Sequence, residues 1–316
     1  MNSDTSPPGD RRKLLDASAT IFGEPATAQD ASYIPRELVQ VTLPHKNPGN
    51  IPVWTRSNGN LTVGIQPGVN LQTGMSHGYP YGTVPRLLLF WITSEAIRTK
   101  SRRLELGHSL NGFMAALGLN SSNGSTGAKR SDARRLRDQM ERLFEARISF
   151  LMVSEQDGQR GERRRNMDVV DDRQFWWDSR HPDQPVLWGS WIELGERFYD
   201  AITASPVPAD MRALRALKRS PLALDLYAWL SYEAFRAHKG DKPRFESWTQ
   251  LHAHLGAEYS RMNDFRRFAK AALAKIKAVY SGLKLGKRMG GIEVLPQSWP
   301  SIQPRNLTIE GMWTSL

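Results

Sequence analysis

The sequence predicts an α+β fold, mainly helical, in which one structural plan is used twice. Three observations carry this reading: a composition suited to a packed chain, an order of helical and strand periodicities that recurs in the second half, and positive charge concentrated in the last third. The 316 residues are 40% hydrophobic and 9% aromatic, with ten tryptophans, unlike a disordered basic tail. At roughly 150 residues per domain, the length fits about two domains. Lys and Arg number 43 against 32 Asp and Glu, a net charge of +11. Because Cys is absent, disulfide staples, thiolate metal sites, Cys nucleophiles and iron–sulfur clusters are excluded.

Residues 1–32 are rich in Ser, Thr, Pro, Asp and Ala with little periodicity, and read as a flexible N-terminal arm carrying Arg11, Arg12 and Lys13. From Glu37 the runs ELVQVTL, IPVWTR and NLTVGIQPG alternate between the turn formers Asn47, Pro48, Gly49 and Ser57, Asn58, Gly59, which predicts a small antiparallel sheet. A helix follows over 85–100, with Pro85 in its first turn and Leu88, Trp91, Ile92 and Ile97 near helical spacing. Ser109 caps a short helix whose apolar face is Phe113 and Leu117 and which Gly118 closes. After a Ser/Gly/Asn-rich loop, a long amphipathic helix is predicted over 128–147. Ala133, Leu136, Met140, Leu143 and Phe144 form its apolar side, and Lys129, Arg130, Arg134, Arg135 and Arg137 crowd its first half. A strand over 148–154, a basic loop over 156–165 and a return strand near 167–171 complete the segment.

The second half repeats the order. Pro221 to Phe235 reads as a helix, and Ser247, Leu251, Leu255 and Gly256 reproduce the spacing of Ser109, Phe113, Leu117 and Gly118. From Pro to Ser is 24 residues in the first copy (Pro85 to Ser109) and 26 in the second (Pro221 to Ser247). The next helix, over 263–280, carries the aromatic and aliphatic stripe Phe265, Phe268, Ala269, Ala272, Leu273, Ile276, Val279 and Tyr280, which reads as core. Arg266, Arg267, Lys270 and Lys277 lie off that stripe. A hairpin over 283–295 then carries the turn Lys287, Arg288, Met289, Gly290, Gly291.

Helix, short helix, turn, long basic helix, strand, basic loop, strand is the order of a winged helix-turn-helix module, so the fold expected is two of them in tandem, with small antiparallel sheets as wings. The boundaries expected are a first winged helix at 33–203, a second at 204–300 and a tail at 301–316. Residues 1–202 hold 25 Lys and Arg against 23 Asp and Glu, and residues 203–316 hold 18 against 9. The last third is therefore the stronger electrostatic contact for a polyanion. The DNA-binding residues expected are Asn263, Arg266, Arg267, Lys270 and Lys277 on the second long helix, Lys287 and Arg288 in its wing, Lys129, Arg130 and Arg134 on the first long helix, and Arg163, Arg164 and Arg165 in the first wing.

Other chemistry is weighed and set aside. His252-Ala253-His254 matches the His-hydrophobe-His element of metal-dependent nicking enzymes, but its surroundings are helical, and residues two apart on a helix diverge. Asp168, Asp171 and Asp172 form an acidic group that wing-strand ends explain as well as Mg²⁺ binding does. His181-Pro182 reads as a loop and Trp176-Trp177 as a packing anchor. No P-loop pattern occurs. The apolar stretch from Val84 to Ile97 falls short of a membrane span, and the N-terminal residues lack the core of a secretory signal. The expectation is a cytoplasmic, non-enzymatic protein with no cofactor, no metal and no membrane partner.

GlyThrValProArgLeuLeuLeuPheTrpIle at 82–92 with ArgArgLeuArgAspGlnMetGluArgLeuPhe at 134–144, and ArgSerProLeuAlaLeuAspLeuTyrAlaTrpLeuSerTyr at 219–232 followed by the Phe/Arg helix at 265–280, resemble the plasmid-encoded RepA-type replication initiators of Gram-negative bacteria. The resemblance covers roughly residues 35 to 300. It implies binding to direct repeats (iterons) at a plasmid origin, opening of an adjacent A·T-rich segment, and recruitment of the host initiator and replicative helicase. It also implies homodimers in exchange with monomers that repress their own promoter, and so a part in copy-number control, with the first winged helix serving dimerisation and accessory DNA contact and the second the main DNA recognition. The alternatives are a winged-helix transcriptional repressor without origin-opening activity and a metal-dependent nicking enzyme.

Overall fold

The computed structural model describes residues 8–119, 132–156, 159–176, 189–256 and 258–302. In chain order these form α1 (Pro8–Gly23), a 3-10 turn (Ala28–Asp30), β1 (Ala31–Pro35), α2 (Arg36–Gln40), β2 (Trp54–Asn58), β3 (Leu61–Gln66), α3 (Thr83–Thr99), β4 (Arg103–Gly107), α4 (Leu110–Ala116) and α5 (Asp132–Phe144). Then come β5 (Arg147–Gln156), β6 (Gln159–Asp168), β7 (Val170–Gln174), β8 (Ser190–Leu194), α6 (Glu196–Ala204), β9 (Pro206–Asp210), α7 (Met211–Leu217), α8 (Pro221–Gly240), β10 (Arg244–Ser247), α9 (Trp248–Leu255), α10 (Met262–Val279) and β11 (Gly291–Val294). The class is α+β, helices with small antiparallel sheets. No helix among the described residues is long and apolar enough to cross a membrane.

The chain divides into a central unit, Gln40–Pro206, and a discontinuous unit, Met1–Val39 with Val207–Leu316. In the central unit, α3 is apolar nearly all round: Val84 to Phe90, Ile92 and Ala96 are buried, as expected of a helix at the centre of a core. β4, between α3 and α4, pairs antiparallel with β8 and β8 with β7, giving a three-stranded sheet whose Leu104, Leu106, Ile192 and Leu194 face the core. The Ser109 side chain accepts the Gly112 N–H and starts α4, and Gly118 closes it at φ +68°, a left-handed conformation that costs Gly least. α5 buries Leu136, Gln139, Met140, Leu143 and Phe144.

A second sheet, in the order β2-β3-β5-β6, packs one face inward through Trp54, Val63, Ile65, Ile148 and Met167. Behind it the buried Arg56 donates to Thr42 Oγ1 at 2.6 Å and the Leu43 carbonyl at 3.2 Å. Arg86 of α3, only 2% exposed, donates to the Leu43, Pro44 and Gly82 carbonyls at 2.7, 3.0 and 2.6 Å. These guanidiniums satisfy carbonyls that no strand reaches.

In the discontinuous unit, Ser220 caps α8 by accepting the Ala223 N–H, and Pro221 occupies its first turn. A Ser247–Gln250 capping box starts α9. α10 packs against α7, α8, α9 and α1 through Phe265, Ala269, Ala272, Ile276 and Val279, each large side chain contributing roughly 1.5–3 kcal/mol of burial. Gly256 is required by space: a Cβ there would lie 2.3 Å from the Phe265 ring. β11 pairs antiparallel with β10, and Leu285 bridges Val294.

Three expectations are corrected. The arm predicted over 1–32 is not irregular from residue 8 onward: α1 packs on α7 and α10, Ile21 is buried, and β1 pairs with β9. Leu14, Ala17 and Ile21 had the helical spacing, masked by polar neighbours. The run ELVQVTL begins as helix α2 rather than a strand. The basic loop predicted over 156–165 is mostly strand β6, because Phe150, Leu151 and Met152 of β5 lie opposite Arg165, Arg164 and Arg163 in the ladder.

Candidate nucleic-acid interface

The clearest candidate surface is one side of α10. Asn263, Arg266, Arg267, Lys270 and Lys277 are exposed and fall within one stripe at 100° per residue, opposite the buried stripe. From Asn263 to Lys277 the stripe runs about 21 Å at 1.5 Å per residue. Arg266, Lys270 and Lys277 have no ion pair among the described residues, whereas Arg267 is held by Asp264 at 3.1 Å and lies 4.8 Å above the Phe268 ring. Three cations therefore present undischarged ammonium or guanidinium groups, and the fourth is partly neutralised.

Phe268 departs from the core reading of its stripe: it is 46% exposed. Its ring lies 5.5 Å from Tyr259, which lies 5.9 Å from the buried Phe265. Burial, with the neighbouring Glu258 charge, holds the Tyr259 hydroxyl above its ordinary value. Periodicity alone put Phe268 with Phe265 and Ala269, since it sits at the margin of their face.

The hairpin that ends in β11 follows α10 in the chain and packs against α8 and α9, and its base, Leu283 to Leu285 with Leu295, shares a surface cleft with Lys277 and Tyr280 at the C-terminal end of α10. Leu295 N–H donates to the Lys284 carbonyl and Gly286 N–H to the Glu293 carbonyl, both at 2.9 Å. At its tip Lys287, Arg288 and Met289 are exposed, and the Arg288 guanidinium lies 3.9 Å above the Phe245 ring of β10.

In the central unit the expected residues are arranged differently. Lys129 and Arg130 lie outside the described residues. Arg134 is exposed on α5, but around it charges are compensated: Arg135 pairs with Asp132 at 3.4 Å, Arg142 with Asp138 at 3.0 Å, and Arg173 of β7 with both Glu141 and Glu145 at 2.8 Å. Arg163 and Arg165 share one face of β6 and Arg164 points to the other, where it donates to Asn166 Oδ1 at 3.0 Å. The three arginines are thus exposed but are not one cluster.

The set-aside chemistry has structural partners. His252 lies on α9 with Nε2 2.8 Å from the Tyr259 carbonyl oxygen, and His254 is buried 3.4 Å from Glu246. Asp168 pairs with Arg147 at 3.1 Å and Asp171 with Arg102 at 2.7 Å. Among the described residues no group of His, Asp and Glu is placed to hold a metal ion. Trp177, His181 and Pro182 lie outside the described residues.

The family described as plasmid encoded RepA protein matches residues 79–250, more than half of the chain. The chain belongs to the plasmid-encoded RepA family. Membership supports a role as a replication initiator acting on DNA. The RepA match spans α3 to the start of α9 and stops before α10 and the β11 hairpin. No curated protein matches the chain. Among solved structures, RctB domains 2-3 are similar at 10% identity and TM-score 0.47, covering 81% of this chain and 94% of that one. A selenomethionine derivative of RctB domain 2 and domain 3 is similar at 10% and 0.48, covering 82% and 97%.

Proposed function

We propose that this RepA protein is a plasmid replication initiator that binds direct repeats at its origin, promotes opening of adjacent A·T-rich DNA and recruits the host initiator and helicase, repressing its own promoter as a dimer. On this reading it is a cytoplasmic protein that needs no cofactor and catalyses no covalent step. Each unit is a winged helix on this reading: α3, β4, α4 and α5 in one, its wing the β7–β8 pair that joins β4 in one sheet rather than the β5–β6 hairpin that carries Arg163, Arg164 and Arg165, and α8, β10, α9, α10 and the β11 hairpin in the other. The observation that carries the proposal is the stripe of α10, where Arg266, Lys270 and Lys277 are exposed and unpaired among the described residues. A recognition helix meets the major groove with such a face, N-terminal half first, and an Arg bidentate to guanine is worth roughly 1–3 kcal/mol of discrimination. Lys287 and Arg288 then serve phosphates beside it.

The test is selection of DNA by the purified chain, then footprinting at two salt concentrations. Protection of tandem direct repeats in steps of about two helical turns, lost when Arg266 and Lys270 become Ala, is the expected result. A single protected inverted repeat would replace the initiator by a repressor, and no sequence preference would overturn both.

A further inference from the structure

The tip of the β11 hairpin holds a feature that phosphate binding does not use. Met289 is 90% exposed and follows Lys287 and Arg288 directly. A lone exposed apolar side chain is ordinary on a protein surface. This one stands at the end of a braced support. The hairpin arms are joined by the Leu285–Val294 bridge and the hydrogen bonds at Gly286 and Leu295. Past the tip, Gly290 takes φ +90°, a conformation suited to Gly, and its carbonyl accepts the Trp248 N–H at 3.0 Å, which fastens the turn to the start of α9. Gly291 pairs with Ser247, where a Cβ would lie 2.0 Å from the Glu246 carbonyl oxygen. Arg288 is laid back over Phe245, leaving the thioether as the outermost apolar group.

We propose that Met289 is a minor-groove wedge: when α10 occupies the major groove, the hairpin tip reaches the adjacent minor groove, Lys287 and Arg288 hold its phosphates, and the Met289 side chain inserts against or between bases at a flexible step. The inference rests on the reading of α10 given above. An unbranched, polarisable side chain suits a narrow slot, and Met is among the residues that architectural proteins insert to unstack and kink a duplex. Pyrimidine–purine steps, TA above all, yield at the lowest cost, so the wedge prefers such a step beside the α10 footprint and weakens stacking there.

The experiment uses the full chain and duplexes carrying its selected site, with 2-aminopurine placed in turn at each step flanking the α10 footprint. The expected result is a fluorescence rise at one pyrimidine–purine step on binding. Met289→Ala abolishes the rise while keeping affinity within about fivefold, and Met289→Leu retains it. Unchanged thermal unfolding of both variants establishes that they fold. A rise that survives in Met289→Ala, or an intact sequence-specific footprint with no rise at any step, would overturn the wedge and leave the α10 reading standing. Absence of any sequence-specific footprint, or indifference to Arg266→Ala, would overturn the α10 reading and the wedge with it.

Discussion

On the outward side of α5 stand Arg134, Asp138 and Glu141, with Glu145 just past its end; on the outward side of α10 stand Asn263, Arg266, Lys270 and Lys277. Both helices follow a short Ser-capped helix and both bury an apolar stripe, so the folding problem is solved alike. The charges are not. In the central unit Asp132, Asp138, Glu141 and Glu145 pair with Arg135, Arg142 and Arg173, whereas on α10 only Arg267 is paired among the described residues. Arginine content therefore does not measure affinity for a polyanion; what counts is the cation left without a carboxylate of its own.

The largest effect is expected in the scaffold of the central unit. Arg86→Leu removes the guanidinium shared by the Leu43, Pro44 and Gly82 carbonyls, leaving Leu43 with Arg56 and Pro44 with the Gly82 N–H, at a cost of about 2–3 kcal/mol. Urea unfolding of the full chain should show it; a loss below about 1 kcal/mol would mean those carbonyls are served otherwise. For DNA, Arg266→Ala with Lys270→Ala should weaken binding to the selected site about a hundredfold and lower the salt slope by about one to two. Arg134→Ala with Arg135→Ala should cost no more than about threefold. Equal losses from the two pairs would break the comparison.

A gain sharpens it further. Glu141→Gln with Glu145→Gln frees Arg173 and removes two negative charges from α5 and the residue just past its end, and should raise affinity about two- to fivefold at low salt, fading at high salt; no change would show that α5 stays clear of DNA. The smallest effect concerns Asp30. Burial acts against its ionisation, but the Thr27 N–H and hydroxyl and the charges of Arg212 and Arg215 outweigh it and hold the carboxyl below its ordinary 3.8. A pKa lowered on folding gives stability that is present above the unfolded value and lost as pH falls through the folded one. Asp30→Asn should therefore flatten the decline of the thermal midpoint below about pH 4, and an unaltered decline would assign it to other carboxylates.

Local interactions were the legible ones. Ser109 and Ser247 cap helices through bonds spanning three residues, and the buried stripe of α10 repeats within each turn, so both could be read from the chain. The two glycines that the spacing made equivalent serve different ends, backbone conformation at Gly118 and room for Phe265 at Gly256. β4 is hard to see in the sequence because its five residues, although Arg103, Leu104, Glu105 and Leu106 alternate, are too few to stand apart from the end of α3, and its partner, β8, lies far along the chain. β6 reads as a charged loop until β5 is opposite it. Of the interface, the α10 stripe and the Lys287–Arg288 tip were readable as chemistry. The pairing of Arg173 with Glu141 of α5 and with Glu145 just past it and the exposure of Phe268 depend on tertiary neighbours.

The pairing of β1 with β9 and the packing of α1 on α10 set an order of events on the ribosome. Residues 1–39 leave the tunnel well before the partners that complete their unit, which begin at Val207. At about 5–20 residues per second, that wait is on the order of ten seconds or more. The central unit has all its strands in hand sooner, so residues 1–39 find their place after a segment made later than they are, and a chaperone or a protease meets them bare in the interval.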